Sequence, residues 1–112
     1  MINLDNKKFK LLENADVGEV IGDTVFHIHQ KGNIARAEYY GGSIASGHIL
    51  AWMDGETMEM SYHCITQENK IKVGKALAKV SIDSSCKIHL MLEWEWISGA
   101  EGKGSSHYLE IV

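Results

Sequence analysis

The sequence predicts an all-β fold, an eight-stranded antiparallel up-and-down barrel. Three observations predict it. Apolar and polar residues alternate with period two along most of the chain, the mark of strands that bury one face. Short glycine-bearing turns separate the alternating runs, because glycine supplies the positive φ that tight hairpins require. The chain has no proline, and most of its 11 glycines fall near those turns.

The elements follow in order. A first strand is expected over residues 8–13. Strands over 24–30, 33–40 and 43–52 come next, parted by Lys31-Gly32 and Gly41-Gly42. Asp54-Gly55 leads into a strand over 56–66, where Met58, Met60, Tyr62 and Cys64 share a face. Residues 71–81 admit two readings. Val73, Ala76, Leu77 and Val80 fit helical spacing, while Ile71, Val73 and Leu77 fit alternation, with Lys75 as the exception. A strand is expected, because its neighbours are strands and Gly74 inside a helix would cost about 1 kcal/mol relative to alanine. Residues 87–96 alternate most cleanly, with Ile88, Leu90, Leu92, Trp94 and Trp96 on one face. The loop Glu101-Gly102-Lys103-Gly104-Ser105 then precedes a last strand over 106–111.

Eight strands joined by hairpins leave two exposed edges unless the sheet closes on itself. A closed barrel of this size holds packed side chains or one small ligand. A two-sheet sandwich is the alternative architecture.

Composition bounds the rest. The 112 residues fit a single domain, taken as 1–112, and 45% of them are hydrophobic. That proportion is enough for a core. The formal net charge is −4, from 15 acidic and 11 basic residues. No basic run beyond Lys7-Lys8 occurs, so no nucleic-acid partner is expected. The first residues carry neither a basic flank nor an apolar stretch, so no signal peptide is expected. No window approaches the ~18 apolar residues of a membrane helix, and no membrane partner is expected. A cytoplasmic location is therefore expected, with Cys64 and Cys86 as reduced, structural thiols.

The direction of the second strand divides the functional readings. A two-residue loop at Lys31-Gly32 pairs Gln30 with Asn33 and His27 with Arg36. One face then carries Phe26, Ile28, Ala35, Ala37 and Tyr39. The other carries His27, His29, Ile34, Arg36, Glu38 and Tyr40. Counting on through the next two turns puts Gly47, Ile49, Met58, Met60, Tyr62 and Cys64 with the histidines. Either a β-bulge shifts the register by one, or the interior is partly polar. In the second case His27, His29, Arg36, Glu38, Tyr40 and Tyr62 would line a pocket.

Each constellation has a plain counterpart. His27-x-His29 could present both imidazoles to one metal, with Glu38 as third ligand. Arg36 opposite would repel a cation, so no metal and no other cofactor is expected. Arg36 and Glu38 could form an exposed ion pair, worth ~0–1 kcal/mol. Inside a barrel, Arg36 would instead suit a carboxylate or phosphate. Trp94 and Trp96, with Trp52, give large aromatic surface on strands that fits core positions or a stacking surface for a ligand. No Gly-x-Ser-x-Gly elbow and no phosphate-binding Gly-x-x-x-x-Gly-Lys-Ser/Thr loop occurs, so no catalytic residue is assigned.

A wider pattern spans nearly the whole chain. It consists of Val25-Phe26-His27-Ile28-His29-Gln30, Gly32-Asn33-Ile34, Tyr39, Gly41-Gly42, Ile44 and Gly47. Asp54-Gly55, Met60-x-Tyr62, Gly74-Lys75 and Glu93-Trp94-x-Trp96 continue it. On these residues the chain resembles a family of small bacterial proteins often labelled "n-acetylglutamate synthase". The block Phe-x-x-x-Gln-x-Gly is its most specific part. The resemblance implies a small avidin- or lipocalin-like meander barrel. Asp83-Ser84-Ser85-Cys86 departs from it, where a tighter Asp-Gly turn is expected. An acetyl-CoA-dependent transferase calls for a glycine-rich pyrophosphate loop at a helix start. The chain has neither, so the label brings no catalytic residues with it.

The favoured reading is a non-enzymatic barrel binding a small, partly apolar molecule inside. Its candidate contacts are His27, His29, Arg36, Glu38, Tyr40, Tyr62, Trp94 and Trp96. An enzyme with a polar pocket around His27, His29, Arg36 and Glu38 is one alternative. A structural or oligomerising module, for instance a homodimer, is the other.

Overall fold

Alternation along the chain becomes eight strands that close a ring. The computed structural model describes residues 2–14 and 24–111, with side chains at all of these except 13 and 14. The strands are β1 (Lys7–Asn14), β2 (Val25–Lys31), β3 (Ile34–Gly41), β4 (Ile44–Asp54), β5 (Thr57–Thr66), β6 (Ile71–Ile82), β7 (Ile88–Ser98) and β8 (Lys103–Ile111). Each pairs antiparallel with the next, and β8 pairs back onto β1, so the barrel is closed and has no free edge. Residues 71–81 are strand, as the neighbouring hairpins imply. The sandwich alternative is excluded by the β1–β8 pairing. The last strand begins at Lys103, earlier than expected, because Lys103 and Gly104 pair with Glu95 and Trp94.

The hairpin turns sit one residue later than the sequence suggests. Lys31 pairs with Ile34, Gly41 with Ile44 and Asp54 with Thr57. The loops are therefore Gly32-Asn33, Gly42-Ser43 and Gly55-Glu56. In each, only the first residue has positive φ, at 60°, 59° and 62°. That is the type II′ turn, which places glycine first and matches the strand twist. His27 accordingly faces Glu38, and His29 faces Arg36. The offset is even, so the two faces of β2 and β3 keep the membership expected of them.

The register conflict resolves through a bulge in β4. Tyr39 pairs with Gly47 while Gly41 pairs with Ile44, and Ile44 pairs with Thr66 while Ser46 pairs with Ile65. β4 thus carries one extra residue, and Ala45 and Ser46 are both exposed. The extra residue flips everything after it by one position. Gly47, Ile49, Met58, Met60, Tyr62 and Cys64 therefore join Phe26 and Ile28 on the inner face, not the histidines.

The inward-facing side chains form one apolar cluster. Phe9, Phe26, Ile28, Met53, Met58, Val80, Leu90 and Tyr108 are nearly or fully buried. Burying a large apolar side chain contributes ~1.5–3 kcal/mol each, so these strands are held mainly from within. The lower end of the barrel carries the β2–β3, β4–β5 and β6–β7 connections. Leu4 closes it, fully buried. The plug is tied by polar contacts to β2. Leu4 N–H donates to Gln30 Oε1 at 2.9 Å, and Gln30 N–H donates to Asp5 Oδ1 at 2.9 Å.

Candidate functional site in the upper lumen

The upper end carries the β3–β4, β5–β6 and β7–β8 connections. Its inner wall repeats one arrangement around the ring. Tyr39 pairs with Gly47 across β3–β4, Tyr62 with Gly74 across β5–β6, and Trp94 with Gly104 across β7–β8. The Tyr39 ring lies on Gly47, where a Cβ would collide with it, and the Tyr62 ring lies on Gly74 in the same way. A ring on a bare backbone lies along the wall instead of pointing to the barrel axis. Aromatic residues covering glycines across strands also protect the backbone there.

Each ring then reaches the following strand. Tyr62 meets Trp96 of β7 edge-on, with ring centroids 5.6 Å apart. Trp96 is half-buried and tilts 6.3 Å from Trp94, with the Lys72 ammonium 5.8 Å above its ring. Trp94 Nε1–H donates to Ser106 Oγ at 2.8 Å, in a fully buried bond. Phe26 stacks on Tyr108 with centroids 4.1 Å apart and meets Tyr39 edge-on at 5.6 Å.

Polar atoms are few in this lining, and two of them reach no nitrogen or oxygen partner among the described residues. The Tyr39 hydroxyl faces the Cys64 thiol, a weak partner, and reaches no nitrogen or oxygen. Thr24 Oγ1 is likewise buried without a partner. Phe26 pairs with Tyr39, so Thr24, two residues earlier, belongs to the same end of the lumen. Burial drives the pKa of Tyr39, Tyr62 and Tyr108 well above the ordinary phenol value, with the neighbouring thiol adding to it for Tyr39 and Tyr62. All three are therefore neutral hydroxyls, able to donate a hydrogen bond.

The chain matches the avidin-like protein family from residue 2 to residue 111. The chain belongs to the avidin-like family. No curated protein and no solved structure gives a significant match.

In this avidin-like barrel the expected contacts divide between the two faces. Tyr62, Trp94 and Trp96 converge on the upper lumen. His27, His29, Arg36, Glu38 and Tyr40 lie on the outer face, so the polar interior pocket built from them is not formed. The reason is the β4 bulge, which leaves Phe26 and Ile28 inward and the histidines outward. His27 Nε2 instead meets Asn6 Oδ1 at 3.0 Å. No ion pair joins Arg36 to Glu38 among the described residues.

Sequence reasoning assigned no ligand role to Tyr39, Thr24, Cys64 and Ser106. One signal was available for Tyr39. It and Tyr62 each stand opposite a glycine once the bulge is allowed, and both glycines belong to the resemblance pattern.

Proposed function

We propose that this avidin-like barrel binds one small, partly apolar molecule in its upper lumen and performs no chemistry on it. The observation that carries the reading is the pair of buried hydroxyls beside an aromatic wall, Tyr39 with only the weak Cys64 thiol as partner and Thr24 with none among the described residues. A buried hydroxyl without a partner costs ~1–3 kcal/mol. A ligand acceptor reaching these hydroxyls recovers that cost. The ligand therefore carries a carbonyl-like acceptor at one end and apolar surface that packs on Tyr62, Trp94 and Trp96.

An enzyme is disfavoured by the lining itself. The buried residues described are apolar side chains, tyrosine and threonine or serine hydroxyls and a thiol, which supports a binding role. Acetyl transfer forms no part of the reading, since the described residues contain no helix to carry a pyrophosphate loop. The reading assigns the cytoplasm, where Cys64 and the exposed Cys86, neither in a disulfide, stay reduced.

The outer face supports a homodimer as part of the same reading. Ile34, Leu50 and Trp52 are each about half exposed on β3 and β4, and Leu77 and Met91 on β6 and β7, with Glu59 of β5 between Trp52 and Leu77. The adjoining part of this surface, Ile34, Leu50 and Trp52 on β3 and β4, suits a second copy of the chain. Sedimentation of wild type as a dimer and of Trp52→Lys as a monomer is expected, and a wild-type monomer at all concentrations would remove this part.

The probe for the lumen is 8-anilinonaphthalene-1-sulfonate, which is apolar, fluorescent and carries acceptor oxygens. Saturable one-to-one binding with quenching of tryptophan emission is expected. Several-fold weaker binding is expected for Trp96→Ala and for the Tyr39→Phe, Thr24→Val pair. Non-saturable binding, or equal affinity in all three proteins, would refute the proposal.

A further inference from the structure

The chain has six histidines, and all of them stand in three pairs on the outer face. The ring centroids are 4.5 Å apart for His27 and His29, 5.9 Å for His48 and His63, and 4.9 Å for His89 and His107. The third pair differs in kind. His89 Nδ1 lies 2.7 Å from His107 Nε2, and His89 Nε2 lies 2.7 Å from Asp83 Oδ2. Both rings are half-buried against the sheet. In the other two pairs no hydrogen bond joins ring to ring among the described residues.

We propose that Asp83, His89 and His107 form an acid-tightened clasp on the β6–β7 loop, in which the joined histidines take up one proton without losing their hydrogen bond. The inference goes beyond the lumen reading and stands whatever the lumen holds.

The hydrogens follow from the acceptors. An ionised carboxylate only accepts, so His89 Nε2 carries a hydrogen toward Asp83. In neutral His89 the lone pair is then on Nδ1, and His107 Nε2–H donates to it. A proton arriving at His107 Nδ1 is passed along. The hydrogen between the rings shifts from His107 Nε2 to His89 Nδ1, so His89 becomes the imidazolium and His107 stays neutral. No contact is broken, and the positive charge comes to rest on the ring that meets the Asp83 carboxylate. Charge-assisted hydrogen bonds are about twice as strong as neutral ones. A second proton would set N–H against N–H at 2.7 Å, so the joined pair takes one only.

Asp83 is the joint between this pair and the loop. Its Oδ1 accepts the N–H of Ser85 at 2.8 Å and of Lys87 at 3.0 Å, and its own N–H donates to the Lys87 carbonyl at 2.9 Å. The His89 ring, then the Lys87 and Ser85 N–H groups, hold the Asp83 carboxyl below the ordinary carboxylate range. Asp83 therefore stays ionised while imidazoles titrate. The added hold is present where the pair carries its proton and absent where the pair is neutral, so it grows as pH falls.

Other charged groups stand around the pair. Lys87 follows in the loop. Lys79 of β6 lies across Met91 from His107, with Glu93 two residues further along β7. Lys10 of β1 lies across Leu109 from His89, and Glu13 holds the β1 register position opposite His107. Only Asp83 bonds to either ring among the described residues. The loop borders the lower-end groove, where Cys86 and Ile88 stand with Ile2 and Asn3. Acid thus firms the plugged end of the barrel.

The test is amide hydrogen exchange of the full chain by NMR, read as protection factors from pH about 8 to about 6. Protection of the Ser85 and Lys87 amides is expected to rise several-fold in wild type as pH falls, with β5 amides unchanged. His89→Gln still bonds Asp83 and His107 but cannot carry charge, and is expected to show no rise. His27→Gln with His48→Gln is expected to behave as wild type. A slowly exchanging His89 Nδ1–H signal is expected at the acid end in wild type and not in His107→Ala. Loop protection flat with pH in wild type, the same rise in His89→Gln, or the same N–H signal in His107→Ala would overturn the assignment.

Discussion

The two ends of this barrel are built from the same strands and finished in opposite ways. At the lower end an apolar plug, Leu4, fills the lumen, and the polar atoms around it are satisfied by Gln30 and Asp5. At the upper end aromatic rings lie against glycines, and two buried hydroxyls reach no nitrogen or oxygen partner among the described residues. Packing stabilises the first end. The second keeps hydrogen-bonding capacity in reserve. The difference teaches where to look for function in a small barrel. On the proposed reading it lies at the end whose polar groups the described residues leave unmatched.

Substitutions at each end break that contrast by different amounts. The largest expected effect is Leu4→Ala, which removes a fully buried side chain. It is expected to cost ~2–5 kcal/mol in denaturant unfolding, while probe affinity of the folded protein stays unchanged. Gly74→Val comes next, because the new side chain must displace the Tyr62 ring. Overpacking of this kind costs ~1–3 kcal/mol, and here it is expected to weaken probe binding as well. Tyr39→Phe has the smallest effect on stability. Removing a hydroxyl that has no nitrogen or oxygen partner is expected to leave unfolding within ~0.5 kcal/mol of wild type or to raise stability slightly, while binding falls.

Alkaline titration sharpens the contrast further. Burial raises the folded-state pKa of Tyr39, Tyr62 and Tyr108 above that of the unfolded chain. The stability linked to these phenols is therefore complete below the unfolded value of about 10 and is lost as pH rises past it. Thermal melts across that range are expected to fall steeply in wild type and less steeply in Tyr39→Phe. Equal slopes would mean that the Tyr39 hydroxyl is not buried as described.

Much of this was legible in the sequence. Alternation and glycine turns carried the strand count, and even the ambiguous stretch around Gly74 followed from its neighbours. The lumen was less legible, for a specific reason. One extra residue at Ala45-Ser46 reverses the facing of every later side chain relative to β2, and nothing in that dipeptide announces a bulge. His27 and His29 therefore looked like pocket candidates when counting alone was used. Trp94 and Trp96 were read correctly as inner residues because β7 alternates without interruption from Ile88 to Trp96. Tyr39 looked like ordinary core, since its unpartnered hydroxyl is a property of packing across β4 and β5. The Asp83–His89–His107 chain was out of reach as well, because it joins a loop to two strands through side-chain contacts alone.

The most direct test is a crystal structure of the protein soaked with 8-anilinonaphthalene-1-sulfonate. Probe density in the upper lumen, packed on Tyr62 and Trp96 with an oxygen within hydrogen-bond distance of the Tyr39 hydroxyl, is the result expected. Density only on the outer face, or around Leu4 at the lower end, would contradict the account.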